Sequence, residues 1–131
     1  MPERPLDLPE LSGLTVLVVE DNDDSLEIIT TFLKVCGATV FGARNVEAAL
    51  GYLATKRLDV LISDLHMPRR DGIDLIRTIR KTYSPAALPA IAITGYWEGY
   101  SDATAAGFDA FLRKPVDIDQ LVKAILNVVS R

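Results

Sequence analysis

Residues Thr15–Asn22 read TVLVVEDN, and this run decides the fold. Four consecutive apolar residues, Val16–Val19, are followed at once by Glu20 and Asp21. A strand with one wet face alternates apolar and polar side chains. A strand that is apolar at every position is covered on both faces, as in a parallel sheet. Ala90–Ile93 (AIAI) repeats the pattern within the segment Ala90–Thr94. Outward from these, Thr39–Phe41, Asp59–Ser63 and Ala110–Leu112 are further short strand-like segments. Between the strands, apolar residues recur at helical spacing: Leu26, Ile29, Leu33 and Cys36; Val46, Ala49, Leu50 and Leu53; Ile118, Leu121, Val122, Ile125 and Val129. Each set forms one stripe on a helix. Ile73–Lys81 is helical through Leu75 and Ile79, and the small, weakly patterned stretch Tyr100–Ala106 supplies the remaining helix. Gly37 stands where a helix C-cap belongs. Strands alternating with helices predict an α/β domain, its parallel sheet joined by right-handed crossovers with helices on both faces.

Composition narrows the function. A chain of 131 residues makes one domain. Its 49% hydrophobic and 24% charged residues exclude a disordered polymer. With 14 Lys plus Arg against 18 Asp plus Glu, the net charge of −4 argues against direct nucleic-acid binding, which needs a basic surface. The single cysteine, Cys36, excludes an internal disulfide and a cysteine-based zinc centre, and reads as core because it continues the first helical stripe. The apolar runs are strand-length, so no membrane span is expected, and the proline-rich start has no apolar signal segment. A cytoplasmic setting is the expectation. Pro2, Pro5 and Pro9 mark residues 1–13 as an extended arm before a domain over residues 14–131. The last helix runs almost to Arg131, which leaves no expected output domain.

The chemistry lies at the carboxyl ends of the strands. Glu20 and Asp21 follow the first strand, Asp64 the third, Thr94 ends the fourth, and Lys114-Pro115 follows the fifth. Open α/β sheets bind ligands at that rim, where strand order reverses. With strands one and three side by side, Glu20, Asp21 and Asp64 converge, with Thr94 and Lys114 across the pocket. Three close carboxylates repel unless protonated or held by a cation. A hard divalent ion such as Mg²⁺ suits an all-oxygen set. Ion, lysine ammonium and threonine hydroxyl together stabilise a phosphoryl group, and an Asp beside the ion can act as nucleophile. No side chain here reads as a general base, which suits phosphoryl transfer.

VLVVEDN (Val16–Asn22), LISDLHMPRRDG (Leu61–Gly72), AIAITGY (Ala90–Tyr96) and FLRKPVD (Phe111–Asp117) resemble the response-regulator receiver domains of bacterial phosphorelays. The resemblance covers about Leu14–Val129. It implies a flavodoxin-like (βα)5 sandwich with strand order 2-1-3-4-5. That order is the one known for the family's chemotaxis member, and it comes with the resemblance rather than from any spacing in the chain. The resemblance also implies Asp64 as phosphoacceptor, and Mg²⁺ held by Glu20, Asp21, Asp64 and the His66 carbonyl. Thr94 and Lys114 would contact the phosphoryl group, and Lys114-Pro115 would be cis. Thr94 and Phe111 would form the switch, and His66 and Tyr96 would modulate phosphoryl lifetime. The implied partners are a sensor histidine kinase or phosphotransfer protein as donor and a downstream protein effector, with homodimerisation an option. The protein would catalyse only its own phosphorylation and dephosphorylation, as a stand-alone regulator or as the receiver of a hybrid kinase. Departures are Glu20 where many members carry Asp, Phe111 where Tyr is frequent, and a slightly short link from Thr94 to Lys114.

Blander readings compete at several positions. Asp23 and Asp24 suit a helix first turn, and Asp71-Gly72 a turn and helix start. Trp97 and Tyr100 serve either an interface or local packing; Arg69 and Arg70 read as solvated surface. A Mg²⁺-dependent phosphatase of the haloacid-dehalogenase kind would carry a second Asp two residues after Asp64, where His66 stands. A flavodoxin-type FMN carrier would have its phosphate repelled by Glu20 and Asp21. A degenerate receiver would not keep the full set of acids, Thr94 and Lys114.

Overall fold

The structure is a computed structural model, and residues 10–95, 103–104 and 106–130 are described. Strands β1 (Thr15–Val19), β2 (Thr39–Ala43), β3 (Val60–Asp64), β4 (Ala90–Thr94) and β5 (Ala110–Arg113) form one parallel sheet of order β2-β1-β3-β4-β5. This is the order the resemblance implies. The described helices are α1 (Asp23–Val35), α2 (Val46–Thr55), α3 (Gly72–Arg80) and, last, α4 (Ile118–Val129). The expected helix at 100–106 falls largely outside the described residues, although Ala103 is fully buried in the core.

Alternation along the strands splits the core into two layers. Leu17, Val19, Leu61 and Ala92 face Val46 and Ala49 of α2 and Leu75, Ile76 and Ile79 of α3. Val16, Val18, Ile62 and Ile91 face Ile29 and Leu33 of α1 and Leu121 and Ile125 of α4. Every residue of β3 and β4 is buried, which for β4 is what its continuous apolar reading requires. Each helix starts on an Asx side chain that accepts a backbone N–H three residues on: Asn22, Asn45, Asp71 and Asp117. One such cap stabilises a helix by about 1 kcal/mol.

Three strands differ in their bounds from the sequence reading. β3 runs Val60–Asp64 rather than 59–63, because the Asp59 carboxylate instead accepts the Thr15 N–H at 2.8 Å. β2 and β5 extend to Ala43 and Arg113, carried by pairing with β1 and β4. Within the expected arm, Leu11 is fully buried and its N–H donates to the Cys36 carbonyl at 2.9 Å. Leu11 thus belongs to the packed chain. Burying one leucine contributes about 1.5–3 kcal/mol toward ordering the turn that carries it.

The link from β3 to α3 holds a backbone outlier. Arg69 sits at φ 70°, in the left-handed region, and is not glycine. That conformation costs an L-residue with a Cβ about 1–2 kcal/mol. Arg69→Gly removes this cost and adds a smaller unfolded-state entropy. We expect a gain of about 0.5–1 kcal/mol in urea unfolding; a loss of stability would show that the Arg69 side chain contributes more than its backbone costs.

Candidate functional site

The β3–β1 pairing sets Ser63 against Val19, so Asp64 and Glu20 leave adjacent strand ends together. Oxygens of Glu20, Asp21 and Asp64 lie within 4.8 Å of one another. Glu20 and Asp64 are buried and Asp21 is exposed, so the cluster opens to solvent on one side. It is the only such group among the described residues.

Lys114 closes the pocket. Its Nζ lies 2.8 Å from Asp64 Oδ2 and 2.8 Å from Glu20 Oε1. Its backbone N–H donates to the Thr94 carbonyl at 2.8 Å, which ties the lysine to the end of β4. The Lys114-Pro115 peptide is cis. Thr94 is buried one position beyond Ile93, the register partner of Asp64. Asp64 Oδ1 accepts the His66 N–H at 3.0 Å, and Glu20 Oε2 accepts the Asn22 N–H at 3.1 Å.

Glu20 has 0% exposure. Burial pushes its carboxyl above the ordinary glutamate range, and the Asp64 charge adds to the rise. The Lys114 ammonium and the Asn22 N–H oppose it. Burial likewise pulls the Lys114 ammonium down, but its bonds to Asp64 and Glu20 outweigh that and hold it above its usual range. Glu20 Oε1 meets Lys114 as an ion pair yet receives no well-angled hydrogen bond, alone among the buried side-chain polar atoms of the described residues. A buried, under-satisfied carboxylate oxygen beside two other carboxylates fits an oxygen-seeking divalent cation.

The site sits on a tightly packed joint. α3 starts at Gly72, where a Cβ would collide with the Asp64 carbonyl oxygen and stand 3.0 Å from Leu65 Cα. Only a residue without a side chain lets α3 approach the acceptor strand this closely. The sequence predicts a turn and helix start at Asp71-Gly72; the Asp71 cap bears that out, and the close approach adds a second reason for glycine.

Other expected residues are placed as follows. His66 is exposed, and its backbone N–H meets Asp64. Phe111 is half-buried and packs edge-on to Phe108 at 6.2 Å between ring centroids. Tyr96, Trp97 and Tyr100 lie outside the described residues. Asp23 pairs with Arg44 at 2.8 Å, and Arg70 pairs with Glu47 at 3.2 Å. Cys36 is buried, and burial pushes its thiol up. No described helix is long and apolar enough to cross a membrane.

Sequence reasoning misses a row on α1. Ile28, Phe32 and Val35 are 54%, 48% and 55% exposed, at helical spacing on the solvent side. Ile28 also lines a groove of about 210 Å³ with Glu20, Lys114, Pro115 and Val116. The signal is a second apolar stripe on α1, overshadowed by the stripe through Ile29 and Leu33 that enters the core.

Acids, a lysine and a threonine thus stand together at the carboxyl rim of a parallel sheet. Comparison with known proteins identifies the domain. The model of the response regulator receiver domain matches residues 16–126, and the chain belongs to that family. It is a receiver domain of two-component signalling systems. It is 36% identical over 117 residues to a 14.6 kDa protein of Leptolyngbya boryana, covering 88% of this chain and 89% of that one. It is 36% identical over 118 residues to the KDP operon transcriptional regulatory protein KdpE of Escherichia coli, covering 88% of this chain but 51% of KdpE. It matches 13% of the sensor histidine kinase GacS of Pseudomonas protegens. The solved receiver domain of the Francisella response regulator 1452 superposes with a TM-score of 0.81 at 28% identity, covering 91% of this chain and 98% of that one.

Proposed function

We propose that Asp64 accepts a phosphoryl group from a phosphohistidine donor and that the added charge switches a protein-binding face. The observation that carries this is the pocket itself: three carboxylates within 4.8 Å, one of them, Asp64, 2.8 Å from Lys114. A carboxylate oxygen of Asp64 attacks the phosphorus, the P–N bond breaks, and the imidazole leaves with that electron pair. Glu20, Asp21, Asp64 and the His66 carbonyl would hold Mg²⁺, which when bound neutralises phosphoryl charge. Lys114 pairs with a phosphoryl oxygen, and the Thr94 hydroxyl donates to another. The lysine starts in place, so little reorganisation is needed.

The product carries on the order of −2 charges. It draws Thr94 inward and biases a two-state equilibrium read out through Phe111 on β5, the edge strand beside β4. The ring of His66 and Tyr96 tune the lifetime of the acyl phosphate. The exposed row Ile28, Phe32 and Val35, continuous with the groove beside Glu20 and Lys114, supports docking of the donor against α1. The donor would be a sensor histidine kinase or phosphotransfer protein, the output a protein effector, and the setting cytoplasmic. The domain turns over only its own phosphoryl group. The match across 89% of the Leptolyngbya protein shows that such a domain makes up nearly all of one relative, and the match to 13% of GacS shows one within a larger kinase.

Incubation with Mg²⁺ and acetyl phosphate, followed by intact mass, tests the reading. Wild-type protein should gain one phosphoryl group and Asp64→Asn none; a label that survives in Asp64→Asn refutes the assignment.

A further inference from the structure

We propose that Ser63 is a positioning residue for the phosphoacceptor. This rests on Asp64 being that acceptor. Ser63 has 0% exposure in a strand otherwise made of Val60, Leu61, Ile62 and Asp64. It belongs to the row of β3 that faces α3, with Leu61 and Leu65 of the apolar layer on either side. A hydroxyl in that layer is costly unless bonded, and an apolar residue would pack there without that cost. Its Oγ donates to the Asp64 carbonyl at 2.9 Å.

That carbonyl is the pivot of the acceptor turn. The Gly72 Cα closes against it, and the Gly72 N–H donates to the next carbonyl, that of Leu65, at 3.1 Å. Beyond the pivot the chain must turn so that the His66 N–H reaches Asp64 Oδ1 at 3.0 Å. The orientation of the 64–65 peptide therefore decides where His66 and the Asp64 carboxylate stand relative to each other. The Ser63 hydroxyl holds that peptide from the α3 side. Ser63 touches no reacting atom. It acts through the backbone of its neighbour, and its loss should appear as slower chemistry rather than as a lost ligand.

The test compares Ser63→Ala, Ser63→Thr and Ser63→Val in the full chain. Acetyl phosphate labelling at saturating Mg²⁺ is followed by intact mass, and the His66 amide by NMR. Thermal unfolding is run in parallel, with labelling kept well below each midpoint. Ser63→Ala and Ser63→Val should label about tenfold more slowly, the size of one lost neutral hydrogen bond, and shift the His66 amide. Ser63→Thr, which restores the hydroxyl, should recover to within about twofold of wild type. If Ser63→Ala only unfolds earlier while rate and amide shift match wild type, the hydroxyl supports the fold alone and the proposal is overturned. It is overturned too if Ser63→Thr is as slow as Ser63→Val. Failure of wild type to label, or labelling of Asp64→Asn, would instead overturn the acceptor assignment.

Discussion

Arg80→Ala is expected to lower unfolding free energy by about 3–5 kcal/mol, the largest stability effect among these substitutions. The Arg80 and Asp109 side chains are 12% and 10% exposed and meet at 3.0 Å. The same guanidinium donates to the carbonyls of Gly107 at 3.0 Å, Tyr83 at 3.3 Å and Leu88 at 2.7 Å. Asp109 in turn accepts the Ala90 N–H at 2.9 Å. One side chain thus ties the end of α3, the approach to β4 and the approach to β5. Truncating it leaves the nearly buried Asp109 carboxylate without its cation and removes the donor from three carbonyls, each costly to leave unmade. For a domain held by about 5–15 kcal/mol, such a loss consumes much of the margin. Chemical denaturation checks it, with Arg80→Lys between wild type and alanine because one ammonium cannot span the fork of acceptors. A loss under about 1 kcal/mol would mean that solvent reaches the cluster and satisfies it.

Gly72→Ala sets two effects against each other. In a helix first turn, alanine is favoured over glycine by about 0.5–1 kcal/mol. Against this, the new methyl would press on the Asp64 carbonyl and on Leu65 Cα at 3.0 Å, both backbone atoms with nowhere to yield. Overpacking of this kind costs about 1–3 kcal/mol, and the collision wins. Chemistry should suffer more than the fold. A shift of about 1 Å in the acceptor strand costs up to about 100-fold in rate. Acetyl phosphate labelling should therefore fall by roughly two orders of magnitude in a protein that still unfolds cooperatively. An alanine variant that is more stable than wild type and labels normally would show that propensity, not close approach, governs the position.

Most of the site is readable before folding because its residues are local punctuation. Glu20 and Asp21 stop one apolar run, Asp64 another, and Thr94 and Lys114 fall at comparable ends, so a parallel sheet must gather them. The strand order that makes Glu20 and Asp64 neighbours comes from the family resemblance, and the observed sheet agrees. The clasp around Arg80 has no such signal. Arg80 is separated from Gly107 by 27 residues and from Asp109 by 29, and arginine at a helix end is ordinarily a solvated charge. Gly107, where a Cβ would stand 2.7 Å from Arg80 Cγ, carries no mark of that contact in the sequence. Leu11 is hidden by the prolines before it, whose local message of extended chain says nothing about one leucine reaching the core. Ser63 reads only as part of a strand, because a buried hydroxyl and a surface one look alike until the neighbours are known.

The clasp binds the turns that lead into β4 and β5, whereas the acids crowd the ends where the parallel strands finish. Heat tolerance and signalling speed can consequently be adjusted by separate hands. Graded replacements at position 80 would yield a relay that works in the cold and fails on warming, with its chemistry untouched.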